Sequence, residues 1–296
     1  MTVEQFLSAI AAVAGLTFVV GSMLGTGLSL TVAQILQPLK NARLVILALL
    51  ANFVLVPLLA FAITKVVPLD QALQIGLIVL ATTAGAPFLV KEVAAAKGNL
   101  SLGVGLMFLL MVVTIFYVPI VLPLLLPGVE VNAWDIAKSL IVTMLIPIIL
   151  GLMYRSHSPE GAGQWAPVMN KASGVALLVM LVTGLGLNVS NIIDLIGSFG
   201  FLALILFVVG SLLIGMLMGG RDPAVRSVLG LGTAQRNVAA AILITSLNFP
   251  GTMTLPYVLV ASIVLPLILI PTAKRLGGRS EVVAPDVPAE LKPQSK

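Results

Sequence analysis

The chain has 296 residues, of which 59% are hydrophobic and 9% are charged, and its formal net charge is +5. Soluble domains contain about 25% charged residues, so this composition excludes a soluble globular protein and predicts an all-α integral membrane protein. The apolar runs are too long and too continuous for the strands of a membrane barrel. The sequence contains no cysteine, which excludes disulfides and thiolate metal sites.

Nine apolar segments are long enough to cross the ~30 Å hydrocarbon core at a rise of ~1.5 Å per residue. We predict transmembrane helices over Leu7–Thr31, Leu44–Thr64, Gln71–Ala96, Leu100–Leu126, Ile136–Tyr154, Met169–Leu187, Gly197–Met218, Val225–Leu247 and Thr254–Ala273. Residues 1–279 then form a single transmembrane domain, and the polar, proline-containing tail 280–296 is predicted to be disordered. The first residues are acidic and lead into a full span, so no cleavable signal peptide is expected.

The basic residues alternate between the predicted loops. Twelve of the sixteen lysines and arginines fall on one side of the membrane, two fall on the other, and Lys91 and Arg236 lie within spans. By the positive-inside rule the basic side is cytoplasmic, which puts the N-terminus outside and the C-terminus inside. The net positive charge is thus assigned to orientation in the plasma (inner) membrane, with the lipid bilayer as partner and no nucleic acid.

The third predicted span, Gln71–Ala96, is interrupted. It is apolar as far as Gly85-Ala86-Pro87 and then carries Glu92. Proline removes a backbone donor and frees a carbonyl, and the half-helix after it presents N–H groups that can bind an anionic group. Thr83 and the backbone at Pro87 are therefore predicted substrate contacts. The alternative for the threonine is a bond to a carbonyl of its own helix, which is common in membrane helices.

The eighth predicted span, Val225–Leu247, combines apolar length with a polar interior. That interior contains two glycines and four polar residues, namely Gly230, Gly232, Thr233, Gln235, Arg236 and Asn237. An arginine at mid-bilayer costs at least ~3 kcal/mol, so Arg236 needs a partner or a watery cavity. We expect a helix break at the glycines, with Arg236 either in a central cavity or reaching freed carbonyls or the membrane surface.

The two interrupted spans occupy corresponding positions in the chain. Residues 7–126 and 169–273 each contain four spans, the helix 136–154 separates them, and the interrupted span is the third of each set. With this count the two sets have opposite orientations. Inverted repeats with paired interrupted helices are typical of secondary transporters that bind substrate near the midplane. The sequence therefore predicts an inverted-repeat transporter in which two broken helices cross.

Four short motifs, in the same order along the chain, are similar to those of one transporter family. They are Gly25–Leu30, Ala51-Asn52-Phe53 followed by Pro57, Lys97-Gly98-Asn99, and Gln235-Arg236-Asn237 with the alanines after it. Together they resemble the bile acid:sodium symporter family, within the superfamily of bile-acid, arsenite and auxin-type carriers. The resemblance implies a panel domain, a core domain and alternating access. It also implies that Asn237 contacts the substrate, and we place Thr233 and Arg236 beside it.

The departures from the family pattern concern sodium. When the chain is aligned on Asn237, the family's sodium-binding glutamate falls at Gly232 and its glutamine at Arg236. The Ser-Asn pair of the first crossing helix falls at Leu89 and Val90. Sodium requires several hard oxygen ligands at once, as other hard cations do. These replacements argue against sodium coupling, and no confident metal site or cofactor is predicted.

Three polar residues are candidates for ion coupling, namely Asn52, Gln235 and Glu92. Asn52 keeps an amide oxygen at one sodium-associated position of the family. Arg236 either binds a substrate carboxylate or acts as a built-in cation that replaces sodium. In one hypothesis Glu92 meets Arg236 across the crossing and is protonated during transport. In the other, Glu92 and Lys91 both reach the inner membrane interface.

The predicted function is secondary active transport of a small organic anion, either bile-acid-like or a monocarboxylate, by alternating access. The alternatives are a genuine sodium:organic anion symporter and a proton-coupled or facilitative carrier. A channel would need a continuous polar pore, whereas the polar residues here cluster at mid-membrane. The sequence has no zinc-type histidine cluster, no paired carboxylates within spans and no Gly-x-Ser-x-Gly motif, so an enzyme is not predicted. It does not indicate the oligomeric state.

Overall fold

The computed structural model describes residues 3–126, 132–187 and 198–277. Within these ranges the elements are helical: α1 Val3–Ser29, α2 Val32–Leu39, α3 Ala42–Leu50, a π-helical turn Ala51–Leu55, α4 Val56–Val66, α5 Gln71–Thr82, α6 Leu89–Ala95, α7 Leu100–Leu125, α8 Ala133–Leu140, a π-helical turn Ile141–Leu145, α9 Ile146–His157, α10 Pro159–Gly186, α11 Gly200–Met218, α12 Pro223–Ala234, α13 Val238–Asn248 and α14 Thr254–Gly277. The predicted disordered tail 280–296 lies outside the described residues.

Eight helical segments of the described chain are long and apolar enough to cross a membrane. The predicted all-helical membrane fold is therefore confirmed. Helix α5 is apolar but has only 12 residues, which span about 18 Å at 1.5 Å per residue and do not cross the hydrocarbon core alone. Large apolar side chains such as Val13, Leu58, Phe116 and Leu217 are exposed on the outside of the bundle, where lipid would cover them. The count of nine spans stays a prediction.

The helices form two packed groups. Helix α1 packs mainly against α9 and α10, while α3 to α7 and α11 to α14 form the second group. The backbones of α1 and α9 approach closely, since a Cβ atom on Gly151 would lie 2.7 Å from the carbonyl oxygen of Leu24. The groups meet where α1 contacts α13, α7 contacts α8, and α10 contacts α14. The second group contains both interrupted helices.

Two element boundaries differ from the prediction. The predicted loop after the first span contains the short helix α2, which begins with a reciprocal cap. The N–H of Thr31 donates to Gln34 Oε1 at 2.9 Å, and the N–H of Gln34 donates to Thr31 Oγ1 at 3.2 Å. This pairing satisfies two N–H groups that a helix start would leave free. Helix α10 begins at Pro159, ten residues before the predicted span, because proline is well accommodated in a first helical turn.

The third span is broken where the sequence predicts. Helix α5 ends at Thr82 and α6 begins at Leu89, and Gly85 between them has φ +79°. A Cβ atom at Gly85 would overlap the backbone of Met111, so only glycine permits both this dihedral angle and the close approach of α7. Thr114 of α7 holds the same turn, because its hydroxyl accepts from the N–H of Ala84 at 3.0 Å and donates to the Ala84 carbonyl at 3.1 Å.

The eighth span is also broken, but later than predicted. The expectation of a break at Gly230 and Gly232 is wrong, since both lie within α12 and the helix ends at Ala234. The glycines instead allow close packing, because a Cβ atom at Gly230 would lie 2.6 Å from Met216 Cγ of α11. The apolar window of α12–α13 is 100% buried, against 22–50% for the other spanning helices of the described chain. This interrupted helix is therefore central to the bundle.

The turn Lys97-Gly98-Asn99 connects the first interrupted helix to α7. Lys97 has φ 49°, a left-handed conformation of the kind that ends helices. A Cβ atom on Gly98 would lie 3.2 Å from Ser227 Oγ of α12. Asn99 Oδ1 accepts from the N–H of Leu102 at 3.0 Å and caps α7. Each residue of this motif thus has a structural role at the junction of three helices.

Candidate functional site

The two interruptions cross, and Asn237 joins them. Its main-chain N–H donates to the carbonyl of Thr83 at 2.9 Å, and its Nδ2 donates to the carbonyl of Gly85 at 3.1 Å. Its Oδ1 accepts from the N–H of Ala240 at 3.2 Å and caps α13. Since the N–H of Asn237 bonds across the crossing, it does not continue the hydrogen bonding of α12. This explains why the break falls at this point and not at the glycines.

Arg236 is completely buried beside this crossing. Its Nε donates to the carbonyl of Leu80 at 3.0 Å, and its Nη2 donates to the carbonyl of Ala81 at 2.7 Å. Its Nη1 donates to Asn52 Oδ1 at 2.8 Å and to the carbonyl of Thr233 at 3.1 Å. Four of the five guanidinium N–H donors are therefore used. One cationic group is surrounded by four oxygen atoms from three helical segments.

The position of the guanidinium follows from the helix ends around it. Leu80 and Ala81 lie in the last turn of α5, and Thr233 lies in the last turn of α12. The last carbonyls of a helix lack an intrahelical partner and carry the negative end of its dipole. Two such ends meet here in the membrane interior, where unpaired carbonyls are costly. A buried cation with several donors satisfies both ends at once.

Asn52 supplies the fourth oxygen from a π-helical turn. The turn Ala51–Leu55 lies between α3 and α4 and just before Pro57, and π-helical turns are frequent at functional sites. Asn52 Nδ2 donates to the carbonyl of Ala48 at 3.0 Å and to Thr233 Oγ1 at 3.2 Å. These two bonds fix the side chain so that Oδ1 points at Arg236. Asn52 is fully buried.

Tyr117 stabilises the same turn, and the sequence analysis missed it. Pro57 has no N–H and cannot donate to the carbonyl of Phe53, four residues earlier. The hydroxyl of Tyr117 donates to this carbonyl at 2.6 Å, and the two aromatic rings pack with centroids 4.7 Å apart. A signal was present in the sequence. From Leu102 to the end of α7, Tyr117 and Thr114 are the polar residues, and their spacing of three puts them on one face.

Apolar side chains fill the space at two further positions that the resemblance associates with sodium. A Cβ atom on Gly232 would lie 2.9 Å from Leu106 Cδ2 and 3.1 Å from Leu89 Cδ2. Gly232 stands where the family has a sodium-binding glutamate, and Leu89 stands where it has a serine. The structure brings these two positions together and places leucine side chains between them. This part of the crossing offers a cation no side-chain oxygen from either residue.

Glu92 and Lys91 behave differently although they are neighbours. Lys91 is exposed, and its Nζ lies 5.4 Å from the centroid of the Phe88 ring. Glu92 is 1% exposed, and neither carboxyl oxygen has a hydrogen-bond partner. The hypothesised contact between Glu92 and Arg236 is not formed in this structure, because the guanidinium binds four other oxygens. The two residues therefore do not share one interfacial position.

The remaining predicted site residues lie around the same crossing. The hydroxyl of Thr83 donates to the carbonyl of Val79 at 3.0 Å, which agrees with the alternative interpretation of that threonine. Pro87 is half-buried. Gln235 is buried and its Oε1 has no hydrogen-bond partner. The substrate contacts of Asn237, Arg236, Thr83, Pro87 and Thr233, and the ion-coupling roles of Asn52, Glu92 and Gln235, stay predictions.

A cavity of about 710 Å³ opens at the N-terminal ends of α3, α7 and α12. Its lining includes Lys40, Asn41, Asn99, Ser101 and Val225. This end of the bundle is the predicted cytoplasmic side, because Lys40 lies in one of the basic loops. The cavity therefore approaches the interrupted helices from the side that the charge pattern assigns to the cytoplasm.

Comparison with known proteins gives related sequences that are all distant. The chain is 21% identical over 232 residues to "Probable sodium/metabolite cotransporter BASS3, chloroplastic" of Oryza sativa subsp. japonica, covering 76% of this chain and 55% of that protein. It is 24% identical over 175 residues to the protein of the same name in Arabidopsis thaliana, covering 59% and 41%. It is 26% identical over 178 residues to "Uncharacterized protein YbaS" of Bacillus subtilis (strain 168), covering 56% of each.

The chain spans about half the length of these curated relatives. A family model described as "Sodium Bile acid symporter family" matches residues 15–195, which is more than half of the chain. The match includes the first interrupted helix and the turn that follows it. The chain therefore belongs to the Sodium Bile acid symporter family, which is a family of transporters and not of enzymes.

Proposed function

We propose that this protein is a secondary transporter of a small organic anion in which Arg236 serves as a built-in cation in place of sodium. The observation that supports this most directly is the set of four oxygens around the guanidinium. The names of the plant relatives describe probable sodium/metabolite cotransport. We propose that this chain also transports a metabolite, but that the cation at the crossing is Arg236 and not sodium.

A guanidinium at this position disfavours sodium in two ways. It uses the oxygens of Asn52, Leu80, Ala81 and Thr233 as acceptors. It also repels a second cation, by about 4 kcal/mol for unit charges 4 Å apart at an effective dielectric constant of 20. The leucine packing at Gly232 removes side-chain oxygens from a neighbouring part of the crossing. All three effects support sodium-independent operation.

The two groups of helices correspond to the panel and core domains implied by the family resemblance. In this proposal α1, α8–α9 and α10 form the panel, and the remaining spans form the core. The interrupted pair α5–α6 counts as the third of nine spans, and repeats 7–126 and 169–273 are inverted. Alternating access would move the core, with the crossing inside it, relative to the panel. The basic loops support an outside N-terminus, a cytoplasmic C-terminus and a plasma (inner) membrane location.

An anionic substrate fits the charge of the crossing. In the described structure Arg236 has no carboxylate partner, and half-helices α6 and α13 begin at the crossing with the positive ends of their dipoles. We propose Asn237, Thr83, Thr233 and Pro87 as the substrate contacts. The substrate class is a monocarboxylate or a bile-acid-like molecule.

The decisive experiment measures the melting temperature of the detergent-purified protein with a panel of organic anions, each in sodium chloride and in potassium chloride. A ligand at ~100 Kd stabilises the native state by ~2.7 kcal/mol, so a true ligand gives a clear shift. We expect the same shift in both salts. A shift that requires sodium would overturn the built-in cation, and no shift with any anion would count against the substrate class.

Two variants sharpen this experiment. Arg236→Gln introduces the family's residue and removes the cation, so we expect it to lose the ligand-induced shift. The matched control is Arg226→Gln on the same helix, because Arg226 is exposed in the first turn of α12. The control is expected to keep the shift of the wild type in both salts.

A further inference from the structure

Glu92 is a carboxyl group with an unusual environment. It lies on α6, which is one half of the first interrupted helix, and its side chain is 1% exposed. Neither carboxyl oxygen has a hydrogen-bond partner among the residues that the structure describes. The main chain of Glu92 makes ordinary helical bonds: its N–H donates to the Phe88 carbonyl at 3.3 Å, and its carbonyl accepts from the N–H of Ala96 at 2.8 Å. The carboxyl group itself is therefore enclosed and unpartnered.

The helices packed against α6 do not supply a partner for this carboxyl. They are α7, α12 and α14. The titratable or charged groups on these helices and on the α6 segment are Tyr117, Arg226, Tyr257, Lys274, Arg275, Lys91 and Lys97. The five basic side chains are exposed, and the two tyrosine hydroxyls donate to main-chain carbonyls of other segments. The guanidinium of Arg236, in the break between α12 and α13, donates to four other oxygens.

Such an environment accepts a neutral carboxyl and rejects a charged one. A carboxylate without a hydrogen-bond donor or counter-ion is strongly disfavoured in a low-dielectric interior, whereas the neutral acid is tolerated. We infer that Glu92 is the binding site of a proton that is transported together with the organic anion. This inference rests on the proposed transport function and adds the coupling ion to it. Glu92 binds the proton and does not contact the organic anion, while Arg236 remains the fixed cation.

The charges of Glu92 and Arg236 explain how the two movements would be linked. With Glu92 protonated, the crossing holds one uncompensated positive charge and attracts a monovalent anion. The anion then brings the net charge to zero, so the loaded carrier changes conformation at a low electrostatic cost. The empty carrier returns with Glu92 ionised, in a conformation other than the one described, and the negative charge of the carboxylate then offsets that of Arg236. A proton alone, or an anion alone, leaves one net charge in the membrane interior, which is costly.

The proton step is balanced without any other reactant. The Glu92 carboxylate accepts one proton from water on one side of the membrane and releases it to water on the other side. No other bond forms or breaks, and one proton moves with each monovalent anion. The conformation described here, with the carboxyl enclosed and unpartnered, corresponds to the protonated state.

The first test measures the proton on Glu92 directly. Infrared spectra of the purified full-length protein at neutral pH, in H₂O and D₂O, show the carbonyl stretch of protonated carboxyl groups. We expect such a band in the wild type and its loss in Glu92→Gln. Glu160→Gln is the control, because Glu160 is an exposed carboxylate in the first turn of α10, and it should keep the band. Absence of the band in the wild type, or its persistence in Glu92→Gln, overturns the inference.

The second test measures coupling in liposomes that contain the full-length protein. Radiolabelled pyruvate and taurocholate are the probes, and the outside is made more acidic than the inside. For coupling of one proton to one anion, a gradient of one pH unit supports accumulation of about tenfold. We expect Glu92→Gln to lose this accumulation while it still exchanges labelled for unlabelled probe. Gradient-driven accumulation by Glu92→Gln at the wild-type level overturns the inference.

The two tests separate this inference from the proposed function. If neither probe is exchanged by the wild type but the infrared band follows Glu92, the proton site is supported and the proposed substrate class fails for both probes. If a probe is exchanged but the wild type shows no protonated band, transport is supported and the proton site is overturned. Glu92→Asp keeps a carboxyl group. Partial recovery of accumulation in this variant would show that the carboxyl group couples proton movement to anion transport.

Discussion

Arg236 and Glu92 are both charged residue types, both are buried, and both belong to interrupted helices, yet their surroundings are opposite. All three nitrogen atoms of the Arg236 guanidinium donate hydrogen bonds, to oxygens of Asn52, Leu80, Ala81 and Thr233. Neither oxygen of the Glu92 carboxyl has a partner. The arginine connects the C-terminal ends of α5 and α12, whereas the glutamate side chain makes no hydrogen bond to another segment of the described chain.

In the proposed mechanism, this difference separates a charge that stabilises the structure from one that exchanges with water. A cation with four acceptors is fixed, because removing it would leave several carbonyls unsatisfied in the membrane interior. A carboxyl without partners can gain or lose a proton without breaking any contact of the described structure. The comparison therefore predicts opposite responses when each residue is replaced by an apolar one.

Arg236→Met is expected to give the largest effect. The substitution removes one donor from each of four buried acceptors, although the Leu80 carbonyl keeps the N–H and hydroxyl of Thr83. Breaking a buried charged network typically costs about 3–5 kcal/mol of unfolding free energy. Urea or thermal unfolding in detergent would measure this loss. Arg236→Lys keeps the charge with fewer donors, so its unfolding free energy should lie between those of the wild type and Arg236→Met. Wild-type stability of Arg236→Met would mean that the guanidinium contacts do not hold the crossing together.

Gly85→Ala tests the turn between α5 and α6, which positions the Thr83 and Gly85 carbonyls that accept hydrogen bonds from Asn237. The added methyl group overlaps the backbone of Met111, and the positive φ of +79° is unfavourable for alanine by about 1–2 kcal/mol before the overlap is counted. A loss of several degrees in melting temperature is expected. The control is Gly163→Ala on α10, which meets no atom within 4 Å and should keep or slightly raise stability. Equal responses would argue against a strained, closely packed turn.

Asn237→Ala removes the side-chain bonds that connect the two interruptions. The Nδ2 bond to Gly85 and the cap on Ala240 are both lost, so we expect a decrease of about 1–3 kcal/mol. Asn237→Asp keeps the capping oxygen and loses the donor, which should separate the two contributions. Unfolding curves of both variants measure them. A larger loss in the aspartate variant than in the alanine variant would point instead to a charge effect.

Tyr117→Phe removes one hydroxyl and keeps the ring. The carbonyl of Phe53 then lacks its donor at 2.6 Å, and the expected loss is about 1 kcal/mol. The readout is again the unfolding free energy, together with anion binding in the thermal-shift assay. Tyr154→Phe is a control on an exposed tyrosine of α9 and should have no effect. A similar response of both variants would mean that the Tyr117 hydroxyl does not stabilise the π-helical turn that contains Asn52.

Glu92→Met is expected to have the smallest effect on stability, with the opposite sign to Arg236→Met. An apolar side chain of similar length replaces a carboxyl that has no partner, so stability should be unchanged or should rise by up to about 1 kcal/mol. A loss of more than that would show that the carboxyl has a stabilising contact, and the comparison with Arg236 would fail. Glu92→Gln serves as the polar control and should be less stable than Glu92→Met.

The sequence by itself determined the class of protein and the places of conflict within it. Segment length and hydropathy are local properties, so they predict membrane helices without reference to partners. A proline after a glycine in span three, and an arginine within span eight, are local contradictions of an apolar helix. The first break and the need of Arg236 for a partner could therefore be predicted, as could the family resemblance that the comparisons confirm.

Only the tertiary structure decided how these conflicts are resolved. The partners of Arg236 are distant in sequence, at Asn52, Leu80 and Ala81, and hydropathy carries no information about such pairs. The second break lies beyond the predicted glycines because the N–H of Asn237 bonds to Thr83 on the other interrupted helix.

The same holds for the contrast between neighbours in α6. Lys91 and Glu92 are both charged and adjacent in sequence, but only Glu92 is enclosed by helices α7, α12 and α14. Which face of a short half-helix is buried depends on the elements that pack around it, since successive helical residues point about 100° apart. The sequence therefore identified Lys91, Glu92 and Arg236 as charged residues within predicted spans. Packing decided that Arg236 is held by hydrogen bonds, that Lys91 is exposed and that the carboxyl of Glu92 is buried without a partner.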